Sequence, residues 1–154
     1  MNNMHIGIVS GYFNPIHRGH LEYINAAKKD CDFLVVIVNN DLQVRIKGSK
    51  EFMDEEHRLE VINNLKSTDL GMISIDESPS VVESIKFIWD SVSSKFIALP
   101  AHTSISYTFY NSGDRHPDAT NSKEDIICNQ LGIKTKFLNL PKIYSSSELK
   151  NSVY

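Results

Sequence analysis

The chain has 154 residues, 41% hydrophobic and 23% charged, with 16 Lys and Arg against 19 Asp and Glu for a formal net charge of -3. A single domain of this length buries roughly 68–70% of its unfolded surface and needs no disulfide or metal staple. The slightly acidic balance has no basic block, which speaks against general nucleic-acid binding, because that requires a Lys/Arg face to displace phosphate counterions. Cys31 and Cys128 form no CxxC pair, so neither a disulfide framework nor a thiolate zinc site is indicated and a reducing compartment fits. The longest apolar run, Phe33 to Val38, is far short of the about 20 residues of a membrane helix, and MNNMHIG lacks a leader pattern. A cytoplasmic protein without a membrane partner is expected.

In chain order, His5 to Ser10 and Phe33 to Val38 are short β-branched runs that end at Gly11 and at Asn39-Asn40-Asp41. Continuous rather than alternating apolar runs imply strands covered on both faces, as in a parallel sheet between helices. Arg18 to Lys29 carries Leu21, Ile24, Ala27 and Lys28 at helical spacing, with basic residues in its last turn where the helix dipole favours them. Asp54 is the expected N-cap of a helix whose stripe is Leu59, Ile62 and Leu65. Gly71 is expected to close that unit before a third strand at 72–75. Pro79 suits the first turn of a helix to about Ser93, with Val82, Ile85 and Trp89 inward. The fourth strand is either 95–99 or 106–110, and the turn NSGDR favours the second. A helix from about Ser122 to Leu131, closed by Gly132, precedes a strand at 135–140 and a short serine-capped helix at the tail.

This alternation predicts one domain over 1–154, an α/β, doubly wound, Rossmann-like parallel sheet of about five strands with helices on both faces. Ligands of such folds bind at the carboxyl ends of the strands, which directs attention to loops 11–17, 39–50, 76–79, 111–118 and 141–147.

In the first of these loops, Gly11-Tyr12-Phe13-Asn14-Pro15-Ile16-His17-Arg18-Gly19-His20, the two histidines are three apart at a helix start and so share one face. The free N–H groups of the helix end make an anion site, and Gly19 permits close approach of a phosphate to the backbone. The same spacing also suits an exposed histidine pair or half of a metal site, although no carboxylate or cysteine partner lies nearby to complete zinc ligation.

GYFNPIHRGH resembles the GxFDxxHxGH signature of the nucleotidylyltransferases, the group that includes glycerol-3-phosphate cytidylyltransferase and heptose-phosphate adenylyltransferase. The resemblance extends to Val38-Asn39-Asn40-Asp41, Lys47-Gly48, Glu56-His57-Arg58, Ser112-Gly113-Asp114 and Tyr144-Ser145-Ser146-Ser147. It implies attack by a substrate phosphate on the α-phosphorus of CTP or ATP, with release of pyrophosphate and Mg2+ carried by the triphosphate rather than by a resident metal site. The partners implied are the triphosphate and a small phosphorylated polyol, sugar or amino-alcohol, in a homodimer.

Under that resemblance His17 and His20 hold the phosphate oxygens and stabilise the transition state, with Lys47 and Arg58 as further catalytic cations. Gly11, Tyr12, Phe13, Asn14, Gly19, Gly113, Asp114, Lys142, Ser145, Ser146 and Ser147 bind the nucleotide. Asp41 and Lys50 bind the acceptor. Without the resemblance, the lysines are solvated surface, Arg58 pairs with an acid on its own helix and the serines are an N-cap. Asn14 stands where the cytidylyltransferase branch has Asp, and FNPxHxGH is similar to the mononucleotide adenylyltransferases. A non-catalytic nucleotide-binding regulator of the same fold is the alternative from another class. Segments 99–105 and 115–121 read as substrate-side elaborations or plain surface insertions. The loop from Asp41 to Met53 is expected to be mobile and to close over the triphosphate, because little apolar surface after Arg45 anchors it.

Overall fold

A computed structural model describes residues 2–93, 103–112, 122–138 and 140. Five parallel strands, β1 (Asn2–Gly11), β2 (Phe33–Val38), β3 (Leu70–Ile73), β4 (Thr103–Asn111) and β5 (Lys134–Phe137), form one sheet in the order β3-β2-β1-β4-β5. The helices are α1 (Arg18–Lys29), α2 (Asp41–Ile46), α3 (Glu55–Asn63), α4 (Val82–Ser93) and α5 (Lys123–Leu131). The uninterrupted apolar run of β2 serves two cores, because alternate strand side chains face opposite ways. Leu34, Val36 and Val38 pack with Tyr23, Ile24 and Ala27 of α1 and Ile62 of α3. Val35 and Ile37 pack on the other face with Ile85, Ile88 and Val92 of α4 and Ile127 of α5. The fold is thus the doubly wound Rossmann-like sheet expected from the sequence.

The differences are local and have physical causes. Gly71 lies inside β3 instead of closing the preceding unit: its N–H donates to Asn63 Oδ1 at 2.8 Å, and a Cβ there would meet that oxygen at 2.5 Å. Close approach of strand and helix, not termination, requires this glycine. Helix α4 starts at Val82 rather than at Pro79, because the Asp76 carboxylate caps it by accepting from Glu83 N at 2.7 Å and Ser84 N at 3.0 Å. Its buried stripe is Ser84, Ile85, Ile88 and Val92, with Val82 and Trp89 half-buried. In α1 it is Tyr23 rather than the exposed Leu21 that completes the inward face. The fourth strand falls at the preferred 106–110, extended to Thr103–Asn111, and α5 carries its Ser122 cap and left-handed Gly132. Strand β5 is Lys134–Phe137, shorter than 135–140. Segment 95–99 and the tail helix lie outside the described residues.

In this strand order the chain reverses direction between β1 and β4, a topological switch point where open α/β sheets form their ligand crevice. The segment between β1 and α1, which ends on His17 and leads into His20 in the first turn of α1, leaves the carboxyl end of β1 at that point.

Candidate active site

His17 is the N-cap of α1 and His20 is its third residue, and the two form a reciprocal cap. Gly19 N donates to His17 Nδ1 at 3.1 Å, and His17 N donates to His20 Nδ1 at 3.2 Å. The rings stack at 3.7 Å between centroids and 20° between planes. Because each Nδ1 accepts a backbone N–H, each neutral ring carries its hydrogen on Nε2. Protonating either Nδ1 would set N–H against N–H and break the cap. Burial above all, then the neighbouring His17 and Lys47, pulls His20 down to about 3. His20 is therefore neutral near pH 7, a hydrogen-bond donor through Nε2.

The ring of Phe13 supports His20 from beneath, edge-on at 5.0 Å between centroids. Phe13 is fully buried with φ of 51, a left-handed conformation costing a non-glycine residue roughly 1–2 kcal/mol. Gly11 makes room for it, since a Cβ at Gly11 would lie 2.7 Å from the Phe13 ring. Gly11 and Phe13, expected as nucleotide ligands, thus shape the floor of the site. Gly19, also expected as a nucleotide ligand, has its amide engaged by His17 Nδ1 and so takes part in the cap.

Arg58, expected as a catalytic cation, lies deeper than the other candidates, with its side chain fully buried. Nη1 donates to Tyr12 O at 2.8 Å and Asn39 O at 2.6 Å, Nε to Met53 O at 3.0 Å, and Nη2 to Asp41 Oδ1 at 2.7 Å. The guanidinium joins the loop after β1, the end of β2 and the far end of the 41–53 segment. Asp41, expected as an acceptor ligand, spends Oδ1 on this pair, while its backbone N–H donates to Glu55 Oε1 at 2.9 Å.

Asn14, also expected as a nucleotide ligand, is 3% exposed; its Nδ2 donates to Lys50 O at 2.9 Å and its Oδ1 accepts from Phe52 N at 2.7 Å. The 41–53 segment is therefore anchored by polar bonds, although the expected shortage of apolar anchors holds: Ile46 and Phe52 are 46% and 43% exposed. Gly48, at φ of 84, turns the chain after α2, and its N–H donates to Arg45 O. Lys47 projects its ammonium over the Tyr12 ring at 4.3 Å from the centroid, near enough to His20 to disfavour a second positive charge there. Burial raises the Tyr12 phenol, with Glu124 adding to the effect. The Lys50 side chain is exposed.

Two residues given no site role from sequence, Asn40 and Gln43, organise the crevice. Asn40 caps α2 through Gln43 N at 2.8 Å and donates to Ser74 O and Asp76 O, while the buried Gln43 donates to Ser78 O and Ser80 O. The spacing Asn40-x-x-Gln43 is a capping-box pattern and was the available signal. Gly113, Asp114, Lys142, Ser145, Ser146 and Ser147 lie outside the described residues, as does 115–121. Among the described residues no three His, Cys, Asp or Glu side chains cluster as a metal site, and no helix is long and apolar enough to cross a membrane.

Fold and site together define a Rossmann-like domain with a paired-histidine helix cap at its switch point. Residues 8–150 match the cytidylyltransferase-like family, and the chain belongs to that family. It is 40% identical over 78 residues to the bifunctional protein HldE of Bradyrhizobium sp. (strain ORS 278) and 38% identical over 78 residues to HldE of Rhodopseudomonas palustris (strain BisB18). These matches cover 49% of this chain and 16% of each relative, so the chain spans a small part of their length. The crystal structure of the lipopolysaccharide core biosynthesis protein from Thermoplasma volcanium GSS1 is similar with a TM-score of 0.66 and 25% identity, covering 92% of this chain and 99% of that one. A bifunctional NMN adenylyltransferase/ADP ribose pyrophosphatase from Francisella tularensis shares the fold, with a TM-score of 0.59 and 14% identity over 97% of this chain and 42% of that one.

Proposed function

We propose that this chain transfers CMP or AMP from a Mg2+-bound nucleoside triphosphate to a small phosphorylated polyol, sugar or amino-alcohol. An acceptor phosphate oxygen forms a bond to the α-phosphorus, the bond from that phosphorus to the bridging oxygen breaks, and pyrophosphate leaves with the electron pair. The acceptor needs no deprotonation by the protein when its phosphate is already ionised, so the residues act by positioning and charge stabilisation. Mg2+ enters with the triphosphate as part of the substrate.

The observation that carries this reading is the His17–His20 reciprocal cap. It turns Nδ1 of both rings onto backbone N–H groups and leaves their Nε2 atoms outward at a positive helix end, with His20 neutral, an arrangement that supports stabilising charge building on α-phosphate oxygens with little reorganisation. Lys47 adds a cation beside the pair. Lys50 is proposed to meet the acceptor. Gly113, Asp114, Lys142, Ser145, Ser146 and Ser147 are proposed to hold ribose, base and the β- and γ-phosphates. A sugar phosphate is the favoured acceptor, given the lipopolysaccharide core biosynthesis protein among the similar structures. The protein is proposed to act in the reducing cytoplasm, with Cys31 and Cys128 as free thiols, and as a homodimer.

A pyrophosphate-release screen tests the reading. CTP and ATP are each offered with sugar 1-phosphates, glycerol 3-phosphate, ethanolamine phosphate and nicotinamide mononucleotide, with mass determination of the product. Turnover with a sugar, polyol or amino-alcohol phosphate is expected. Turnover with the mononucleotide alone would move the chain to cofactor synthesis, and triphosphate binding without pyrophosphate release from any acceptor would make it a regulator.

A further inference from the structure

We infer that Asn14 is a positioning residue that latches the 41–53 segment to the loop after β1 and thereby carries Lys47 to the histidine pair; the inference rests on the nucleotidyl-transfer reading. The segment is gripped at both ends. Near its start, the Asn40 cap holds Gln43 N, and Val44 is fully buried. Near its end, Asn14 takes Lys50 O and Phe52 N, and Arg58 takes Met53 O. Between the grips Arg45, Ile46, Lys47 and Gly48 are all exposed, so apolar packing does not hold Lys47. Lys47 caps the end of α2, its N–H donating to Gln43 O at 3.0 Å, and Arg45 Nε meets Glu51 Oε1 at 2.9 Å, so the short helix that carries the lysine is tied to the stretch that Asn14 grips.

The chemistry at position 14 is specific. The latch needs a donor toward Lys50 O and an acceptor toward Phe52 N from one short side chain, which a carboxamide supplies and a carboxylate does not. An aspartate would turn its second oxygen onto the Lys50 carbonyl, two acceptors about as far apart as the present 2.9 Å bond. The site is buried, so water does not relieve that repulsion. Asn14 is also two residues beyond Tyr12, whose ring holds the Lys47 ammonium, so the residue gripping the segment and the ring receiving the cation belong to one loop. Moving the segment away from Asn14 moves Lys47 off Tyr12 and away from His20.

The test compares Asn14→Ala, Asn14→Asp, Lys47→Ala and the Asn14→Ala/Lys47→Ala double variant of the full chain. Hydrogen exchange of peptides covering 46–53, which needs no turnover, should be about tenfold or more faster in both Asn14→Ala and Asn14→Asp, with β1 and β2 unchanged. Pyrophosphate release should show Asn14→Ala losing rate as Lys47→Ala does, and the double variant no slower than Lys47→Ala alone, because the latch acts through the lysine. Unchanged exchange at 46–53, or losses that multiply in the double variant, would overturn the inference. A wild-type protein that releases no pyrophosphate from any acceptor overturns the functional reading instead, and the exchange arm still decides the latch. If Asn14→Ala does not fold, Asn14→Asp carries both comparisons.

Discussion

Replacing Arg58 with Met keeps the bulk of the side chain and removes its donors, and the expected loss is stability rather than nucleotide affinity. The guanidinium makes four hydrogen bonds, to the carbonyls of Tyr12, Asn39 and Met53 and to Asp41 Oδ1, with none of its side chain exposed. Removing one partner of a buried charge pair costs about 3–5 kcal/mol, and each buried acceptor left without a donor costs about 1–3 kcal/mol. Asp41 is partly exposed and regains water, so we expect about 4 kcal/mol, a large share of the 5–15 kcal/mol typical of a domain. In melting temperature that is about 8–16 °C at about 2–4 °C per kcal/mol. The single tryptophan, Trp89, is half-buried in α4 and reports unfolding by fluorescence in a urea titration. An unchanged urea midpoint together with lost CTP or ATP affinity would mean that the arginine reaches phosphate, and would refute the geometry described for it.

Three further outcomes follow from the same contacts. His20 is held down to about 3 when folded, against an ordinary value near 6.5, so between these values the unfolded chain binds the extra proton and stability falls as pH falls. From pH 7 to 5 that component is about 2 kcal/mol at 1.36 kcal/mol per unit; urea midpoints at the two pH values should fall less in His20→Asn than in wild type, and equal falls would contradict it. Lys47→Ala should weaken triphosphate binding about 10-fold to 100-fold with an unchanged urea midpoint, because the lysine is exposed; calorimetry with CTP and ATP checks this. Gly11→Ala should cost about 1–3 kcal/mol and also slow turnover, since the added Cβ pushes the Phe13 ring from beneath His20; full activity in a destabilised variant would separate the two rings.

What could be read from the sequence is what short-range pattern encodes. Phe33 to Val38 announces a strand buried on both faces because it is apolar at every position, and the two cores use its alternate residues as that requires. Ser122 and Gly132 bracket α5 by cap chemistry alone. The histidine pair was legible from spacing, but its reciprocal cap, and hence its tautomer, follows from backbone geometry that no spacing conveys. The burial of Arg58 is not legible in the sequence because its acceptors, at positions 12, 39, 41 and 53, are assembled only by the fold. An arginine on a helix start beside acidic residues gives no local sign of burial. The grip of Asn14 on the 41–53 segment is not legible for the same reason, since its partners are 36 and 38 residues away. Gly71 shows the opposite error: a glycine near an element boundary suggested termination, while the need was close packing against Asn63.

The central claim is that neutral His20, held in the Nε2–H form by the cap, stabilises charge in the transition state of nucleotidyl transfer. Single-turnover pyrophosphate release by wild type and His20→Ala, at saturating triphosphate and acceptor, measures this directly. The account predicts a rate about 10²–10³ lower in the variant, with triphosphate affinity changed far less, because a donor aimed at developing charge acts on the rate. A His20→Ala protein that turns over at near wild-type rate would contradict it.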